Sequence, residues 1–228
     1  MPNRSKKDNN HHSRRRLVEA AIEVFAEKGK HGARMEEIAA RAGVNKAMAY
    51  YYFAGKDNLY KTAVYEILKN ISMQISARLT ESASESLSPI ERMKLVVAAH
   101  VESFSRHGGY SKVVMEALLE DPDYVHSAIA RVRHECRQSL ADRFLEILQD
   151  GRKKLEFRDI DPKQTLVSFM GMNLIYFIGH PIARAMLDLS KSEEREFLKR
   201  RPDCVIDLLL NGMAAKGVQR PRKKRTGK

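Results

Sequence analysis

Apolar residues recur along almost the whole chain at the three- and four-residue spacing of helices, and no run alternates with the period of two that a strand needs. Leu17, Ala20, Ala21, Val24 and Phe25 share one helical face, with Ser13 placed as N-cap and Gly29 just past the end. Met35, Ile38, Ala39 and Ala42 mark a short second helix running into Gly43, and a third begins after Asn45. From Lys56 a long helix carries Leu59, Ala63, Ile67, Ile71 and Ile75 to about Leu79. Pro89 opens another, with Ile90, Met93, Val97, Val101 and Phe104 inward, stopped by Gly108-Gly109. A shorter segment at Ser111–Leu119 is closed by Asp121-Pro122. One long helix is predicted from Val125 through Leu148 to Gly151. Thr165–Leu187 is apolar nearly all round and must be covered on several sides. The last segment carries Val205, Ile206, Leu208, Leu209 and Leu210, with Pro202 as a kink or a new start. The pattern predicts an all-α fold of about nine helices: a three-helix N-terminal head and a larger helical body.

The segment 35–59 carries the most chemistry. Gly43 suits the left-handed residue that ends a helix, and Asn45 suits the N-cap of the next. Only Gly43-Val44-Asn45 separates the two helices, which forces them to cross steeply. That is a helix-turn-helix, whose second helix can enter the major groove of DNA. Met35 and Ile38 face inward, leaving Lys46, Met48, Tyr50 and Tyr51 on or near the outer surface.

These residues resemble the TetR/AcrR family of bacterial transcription regulators. The resemblance rests on Phe25-Ala26-Glu27-Lys28-Gly29, then Ile38-Ala39, Ala42-Gly43-Val44-Asn45, Tyr50-Tyr51-Tyr52-Phe53, and Lys56 with Leu59. Departures from the family pattern are Asn45 for Ser, Ala47 for a frequent Gly, Ala49 for a larger aliphatic and Tyr52 for a frequent His. Ala33 and Arg34 stand where Thr or Ser usually begins the second helix. The resemblance implies a DNA-binding domain over 13–60, with its motif at about 34–53, and an effector-binding and dimerisation domain over 61–213. It also implies a homodimer joined through the helices near 165–187 and 203–213, where the small Gly171 and Gly179 allow close approach. Such a dimer reads a palindromic operator in double-stranded DNA and is released from it by a small-molecule effector, here unknown.

Charge adds an electrostatic layer. Residues 1–16 carry a net of +5 and residues 214–228 a net of +7, together the whole formal charge of +12. The basic arm 1–12 and basic tail 214–228 read as disordered, and polycations of this kind give salt-sensitive affinity for phosphate. An alternative reading follows: a nonspecific, architectural DNA-binding protein driven by its tails. The long helical body argues against it, because coating DNA needs no such domain.

Candidate DNA contacts are Arg14, Arg15, Arg16, Arg34, Asn45, Lys46, Ala47, Met48, Tyr50, Tyr51 and Lys56. Arg14–Arg16 directly precede the head helices, as minor-groove arms do. Lys46 opens the reading helix and reaches a guanine edge or a phosphate, while Ala47 and Met48 suit a thymine methyl. Of Tyr50 and Tyr51, one is expected to pack against Phe25 or Phe53 and the other to donate to phosphate. Lys56 and Arg34 sit at helix starts, where a cation and the helix end jointly favour phosphate. Candidate effector contacts in the body are Met93, His100, Phe104, His107, Tyr110, Met115, Asn173, Tyr176 and Phe177.

No cofactor or metal is expected. Cys136 and Cys204 lie far apart and read as small buried hydrophobes in a reducing cytoplasm, and no carboxylate or thiol joins His100 and His107 at ligand spacing. Phosphate-loop, zinc-protease and serine-hydrolase motifs are missing, so an enzyme is not expected. The N-terminal residues lack a signal peptide's apolar core, and the longest apolar stretch, Phe169–Gly179, is too short for a bilayer. A cytoplasmic protein with no membrane partner is the expectation.

Overall fold

Three helices build the head, each for a local reason. In the computed structural model, which describes residues 3–81, 86–106, 109–136 and 139–213, α1 (Asn3–Gly32) presents Leu17, Ala21, Val24 and Phe25 to the interior. Helix α2 (Met35–Arg41) buries Met35, Ile38 and Ala39, and α3 (Lys46–Phe53) buries Ala49 and Phe53. Helix α4 (Lys56–Glu81) then leaves the head without a break and enters the body. It contributes Leu59 and Tyr60 at one end of a single core and Ile67, Ile71 and Ile75 further along it. The domain boundary expected near residue 60 therefore lies inside a helix.

The body consists of α5 (Pro89–Arg106), α6 (Tyr110–Glu120), α7 (Pro122–Glu135), α8 (Leu140–Lys153), α9 (Pro162–Ile178), α10 (His180–Leu187) and α11 (Lys191–Met213). Among the described residues there are thus eleven helices and no strand. The class is as predicted, and two of the expected nine helices are each divided.

The helix expected over 125–151 stops at Glu135 and restarts at Leu140. The cause is a reciprocal cap. Ser139 Oγ accepts the Asp142 amide at 3.2 Å, and the Asp142 carboxylate accepts the Ser139 amide at 3.0 Å. The helix expected over 165–187 breaks at Gly179, where α9 and α10 meet at 82°. Pro181 sits in the first turn of α10, where its missing amide donor costs nothing. No single helix among the described residues is long and apolar enough to cross a membrane.

Both chain ends differ from expectation as well. The arm expected as disordered is helical from Asn3, so Ser13 is not a cap. The extra turns are held to the head by the Tyr52 hydroxyl, which donates to Asn10 Oδ1 at 2.9 Å. Helix α11 starts at Lys191 and passes through Pro202 uninterrupted. Arg201 beside it donates to the Met172 carbonyl, tying α11 to α9. The basic tail 214–228 lies outside the described residues. Neither cysteine is buried as expected: Cys136 ends α7 half-buried and Cys204 is exposed on α11.

An apolar stripe remains uncovered. Val167 and Ile175 on α9, Ile182 and Met186 on α10, and Leu208 on α11 are each more than half exposed.

Candidate DNA interface and the adjoining cavity

The turn between α2 and α3 is set by its own backbone. Gly43 has φ of 64°, and the Val44 and Gly43 amides donate to Ala39 O and Ala40 O, both at 3.0 Å. These bonds close α2 with a left-handed cap that only glycine enters without strain. Asn45 Oδ1 then accepts the Met48 amide at 2.8 Å and starts α3. With Ala49 and Phe53 inward, the helical period leaves Lys46, Ala47, Tyr50 and Tyr51 exposed and Met48 half-buried.

The expected division of labour between Tyr50 and Tyr51 does not hold. Both rings face solvent, at 44% and 77% exposure, because the inward register of α3 belongs to residues 49 and 53. Tyr52 packs instead, half-buried against the core, and Phe25 meets Tyr60 edge-on at 4.9 Å. Both Tyr50 and Tyr51 are thus available to donate to phosphate.

The expected basic set also separates. Arg16 Nη2 donates to Gly43 O at 3.2 Å, so Arg16 buttresses the turn from behind. Arg14 lies over the Phe53 ring, 5.3 Å from its centroid, and Arg15 is 3.5 Å from Glu19 on the exposed face of α1. None of the three belongs to an extended arm. Lys56 points inward, donating to the carbonyls of His31 at 3.2 Å and Ala33 at 3.1 Å. It closes the end of α1 and is not positioned for phosphate. Arg34 is exposed at the N-cap of α2 and remains a candidate clamp.

Lys46 has a competitor. Its Nζ lies 2.5 Å from Glu36 Oε1, and this pairing holds the Glu36 carboxyl below its usual range and the ammonium above its own. DNA must displace that carboxylate to engage Lys46. Glu36→Gln is therefore expected to tighten DNA binding about three- to tenfold at low salt, the worth of an exposed pair plus a removed repulsion. Unchanged affinity in a filter-binding titration would show that Lys46 does not touch DNA.

Head and body are joined through α6. The Lys30 amide donates to Glu116 Oε1 at 2.8 Å, and the Tyr60 hydroxyl lies 3.0 Å from Val113 O and 3.2 Å from Glu116 Oε2. Burial, and then the Glu116 charge, push the Tyr60 phenol far up, so it stays a proton donor. Glu120 accepts from His31 Nε2 at 2.8 Å and Lys30 Nζ at 3.3 Å. Gly29, with φ of 69°, lets α1 pass this close: a Cβ there would sit 2.9 Å from Glu116 Oε1. No local spacing reveals this cluster, because its bonded partners lie 53 to 90 residues apart.

The other side of α6 faces a cavity of about 280 Å³. Ser111, Val114, Met115 and Leu118 of α6 line it with Leu68, Ile71 and Ser72 of α4, His100 and Phe104 of α5, and residues of α7, α8 and α9. Of the expected effector contacts, His100, Phe104 and Met115 stand on its wall. The others do not. Met93 is core, Asn173 is buried with Nδ2 donating to Phe169 O at 2.9 Å, and Tyr176 stacks on Phe197 at 4.9 Å. Phe177 packs behind Phe104, Tyr110 borders a separate cleft beside α1, and His107 lies outside the described residues. The apolar periodicity showed that these side chains face inward but not where the interior is left empty.

Residues 17–63 match the pattern of the bacterial regulatory proteins of the tetR family, and residues 86–174 match a tetracyclin repressor-like C-terminal domain. The chain belongs to the TetR family. The HTH-type transcriptional regulator BetI of Brucella canis is 30% identical over 87 residues, which are 38% of this chain and 42% of that one. The chain thus spans less than half the length of this curated relative. Among solved structures, a regulatory protein in the tetR family from Rhodococcus RHA1 superposes with a TM-score of 0.69 at 19% identity, over 89% of this chain and 97% of that one. FadR from Bacillus subtilis, solved in complex with stearoyl-CoA, gives 0.66 at 21% identity, over 86% and 97%. At such identities the superpositions establish a shared TetR fold.

Proposed function

We propose that this TetR-family protein is a cytoplasmic, homodimeric repressor that binds palindromic double-stranded DNA through α3 and is released by a small molecule in the body cavity. The observation that carries this reading is the double face of α6. Val114, Met115 and Leu118 line the cavity, while Glu116 and Glu120 hold Lys30 and His31 at the end of α1. A ligand that spreads the cavity wall moves the helix to which the head is anchored. The exposed stripe on α9, α10 and α11 supplies a face for a second copy, which brings a second α3 to the next major groove. Lys46 reads or clamps DNA, Tyr50, Tyr51 and Arg34 contact phosphate, and Asn45 and Arg16 hold the reading helix in place. That FadR was solved with stearoyl-CoA shows a protein of this fold holding a small molecule, which supports the ligand-responsive part.

The test begins with selection of genomic fragments by purified protein near physiological salt, followed by sequencing of the bound DNA. An inverted repeat is expected. On that site Lys46→Ala should lower affinity about tenfold, the value of one good contact. Unaltered discrimination against unrelated DNA in Lys46→Ala would remove its base-reading role. Uniform, salt-sensitive enrichment with no motif would favour a nonspecific coat over a regulator. Release is tested by reciprocity: an effector and the DNA site must weaken each other's binding by the same factor. Independent binding of the two would end the release mechanism.

A further inference from the structure

The composition of the cavity wall narrows the class of molecule it accepts. Only four polar side chains line it, Ser72, His100, Ser111 and Ser139, and no Lys, Arg, Asp or Glu does so among the described residues. Ser139 is occupied by its reciprocal cap with Asp142, and Ser111 Oγ lies 3.4 Å from the Phe177 carbonyl. His100 differs from these. It is 1% exposed, its ring centroid lies 5.1 Å from those of both Phe104 and Phe169, and its Nδ1 has no hydrogen-bond partner. Buried polar atoms in folded proteins are nearly always paired, so an unpaired imidazole nitrogen in a residue that lines the cavity leaves hydrogen-bonding capacity for a ligand to meet. Burial pushes the imidazole down to about 4, so near neutrality it carries one N–H donor and one bare acceptor nitrogen.

We propose that this cavity binds an uncharged aliphatic molecule whose single hydroxyl or carbonyl pairs with His100. The assignment rests on the effector reading above and gives that effector its chemical class. A carboxylate, phosphate or ammonium would enter without a counter-charge and lose its hydration. At about 30 Å³ for each small group, the share of a water in the liquid, the space holds on the order of ten non-hydrogen atoms. Leu118 and Ile129 line the cavity and yet are 41% and 44% exposed, which places its mouth between α6 and α7.

Calorimetric titration of the full-length protein with 1-octanol, octanoate, octylammonium and 1-chlorooctane tests the class. Octanol is expected to bind at least tenfold more tightly than either ion. His100→Phe should weaken octanol about tenfold, the worth of one buried hydrogen bond, and leave 1-chlorooctane within twofold. His100→Gln, neutral and still able to hydrogen-bond, should recover most of the octanol affinity. His100→Leu takes the place of the Phe variant if that one does not fold. Tighter binding of either ion, equal losses for octanol and 1-chlorooctane, or binding of none of the four would overturn the proposal. Repeating the additions on the protein–DNA complex separates the two readings. Octanol bound in the expected pattern without DNA release supports the ligand class and overturns effector release. Release by octanoate that ignores His100 overturns the ligand class and leaves release standing.

Discussion

Ile175→Glu is expected to give a monomer whose affinity for the DNA site falls at least about 100-fold, because two linked heads gain that much over one. Ile175 is 63% exposed on α9, one turn beyond Gly171 and two beyond Val167, so the three line one strip of the helix. A Cβ added to Gly171 would meet nothing within 4 Å, leaving the strip open to a close neighbour. Ile182 and Met186 repeat the four-residue spacing on α10. A carboxylate in that stripe costs little while it faces water but must be desolvated, unpaired, when a second copy docks. Sedimentation should show the halved mass, circular dichroism should show the helices retained, and DNA titration should show the lost affinity. A variant that stays dimeric and binds normally would place the seam elsewhere.

Phe169→Ala is expected to cost about 3–5 kcal/mol of stability, the range for a truncated core aromatic. Phe169 is fully buried, stacks on Phe144 with ring centroids 4.8 Å apart, and touches the His100 ring. Helices α5, α8 and α9 meet at these three rings, so no single side chain can move to fill the gap. For a chain of this size the loss corresponds to a melting temperature lower by about 6–20 °C, which scanning calorimetry reads directly. A drop of only about 1–2 °C would mean that the three helices collapse around the vacancy and are more loosely packed than the stacking geometry implies.

Local signals were the legible ones. Gly43 and Asn45 act on their own backbone neighbours, and the turn they predicted is the turn observed. The division at Ser139 was also local, a Ser with Asp three residues on, but the apolar period of Val132, Leu140, Phe144 and Ile147 ran across it and masked the cap. Gly179-His180-Pro181 likewise contains a helix start that reads, within an apolar stretch, as mere continuation. Lys56 was misplaced for a different reason. Its acceptors, His31 O and Ala33 O, come within reach only after α1 and α4 pack. The cavity was the least legible of all, since apolar spacing identifies which residues turn inward and carries no record of where they fail to meet.

Helix α4 has a mechanical consequence. It gives Leu59 and Tyr60 to the core of the head and Leu68, Ile71 and Ser72 to the cavity wall, with no joint between. From Ser72 to Lys56 the rod measures about 24 Å at 1.5 Å per residue, so a tilt of about 8° sweeps its far end through about 3.4 Å. That sweep equals the rise of one base pair along a DNA strand. Under the proposed release, a crowbar of this length would convert a small strain at the cavity into a one-step misregister under Lys46, with nothing inside the head having to change.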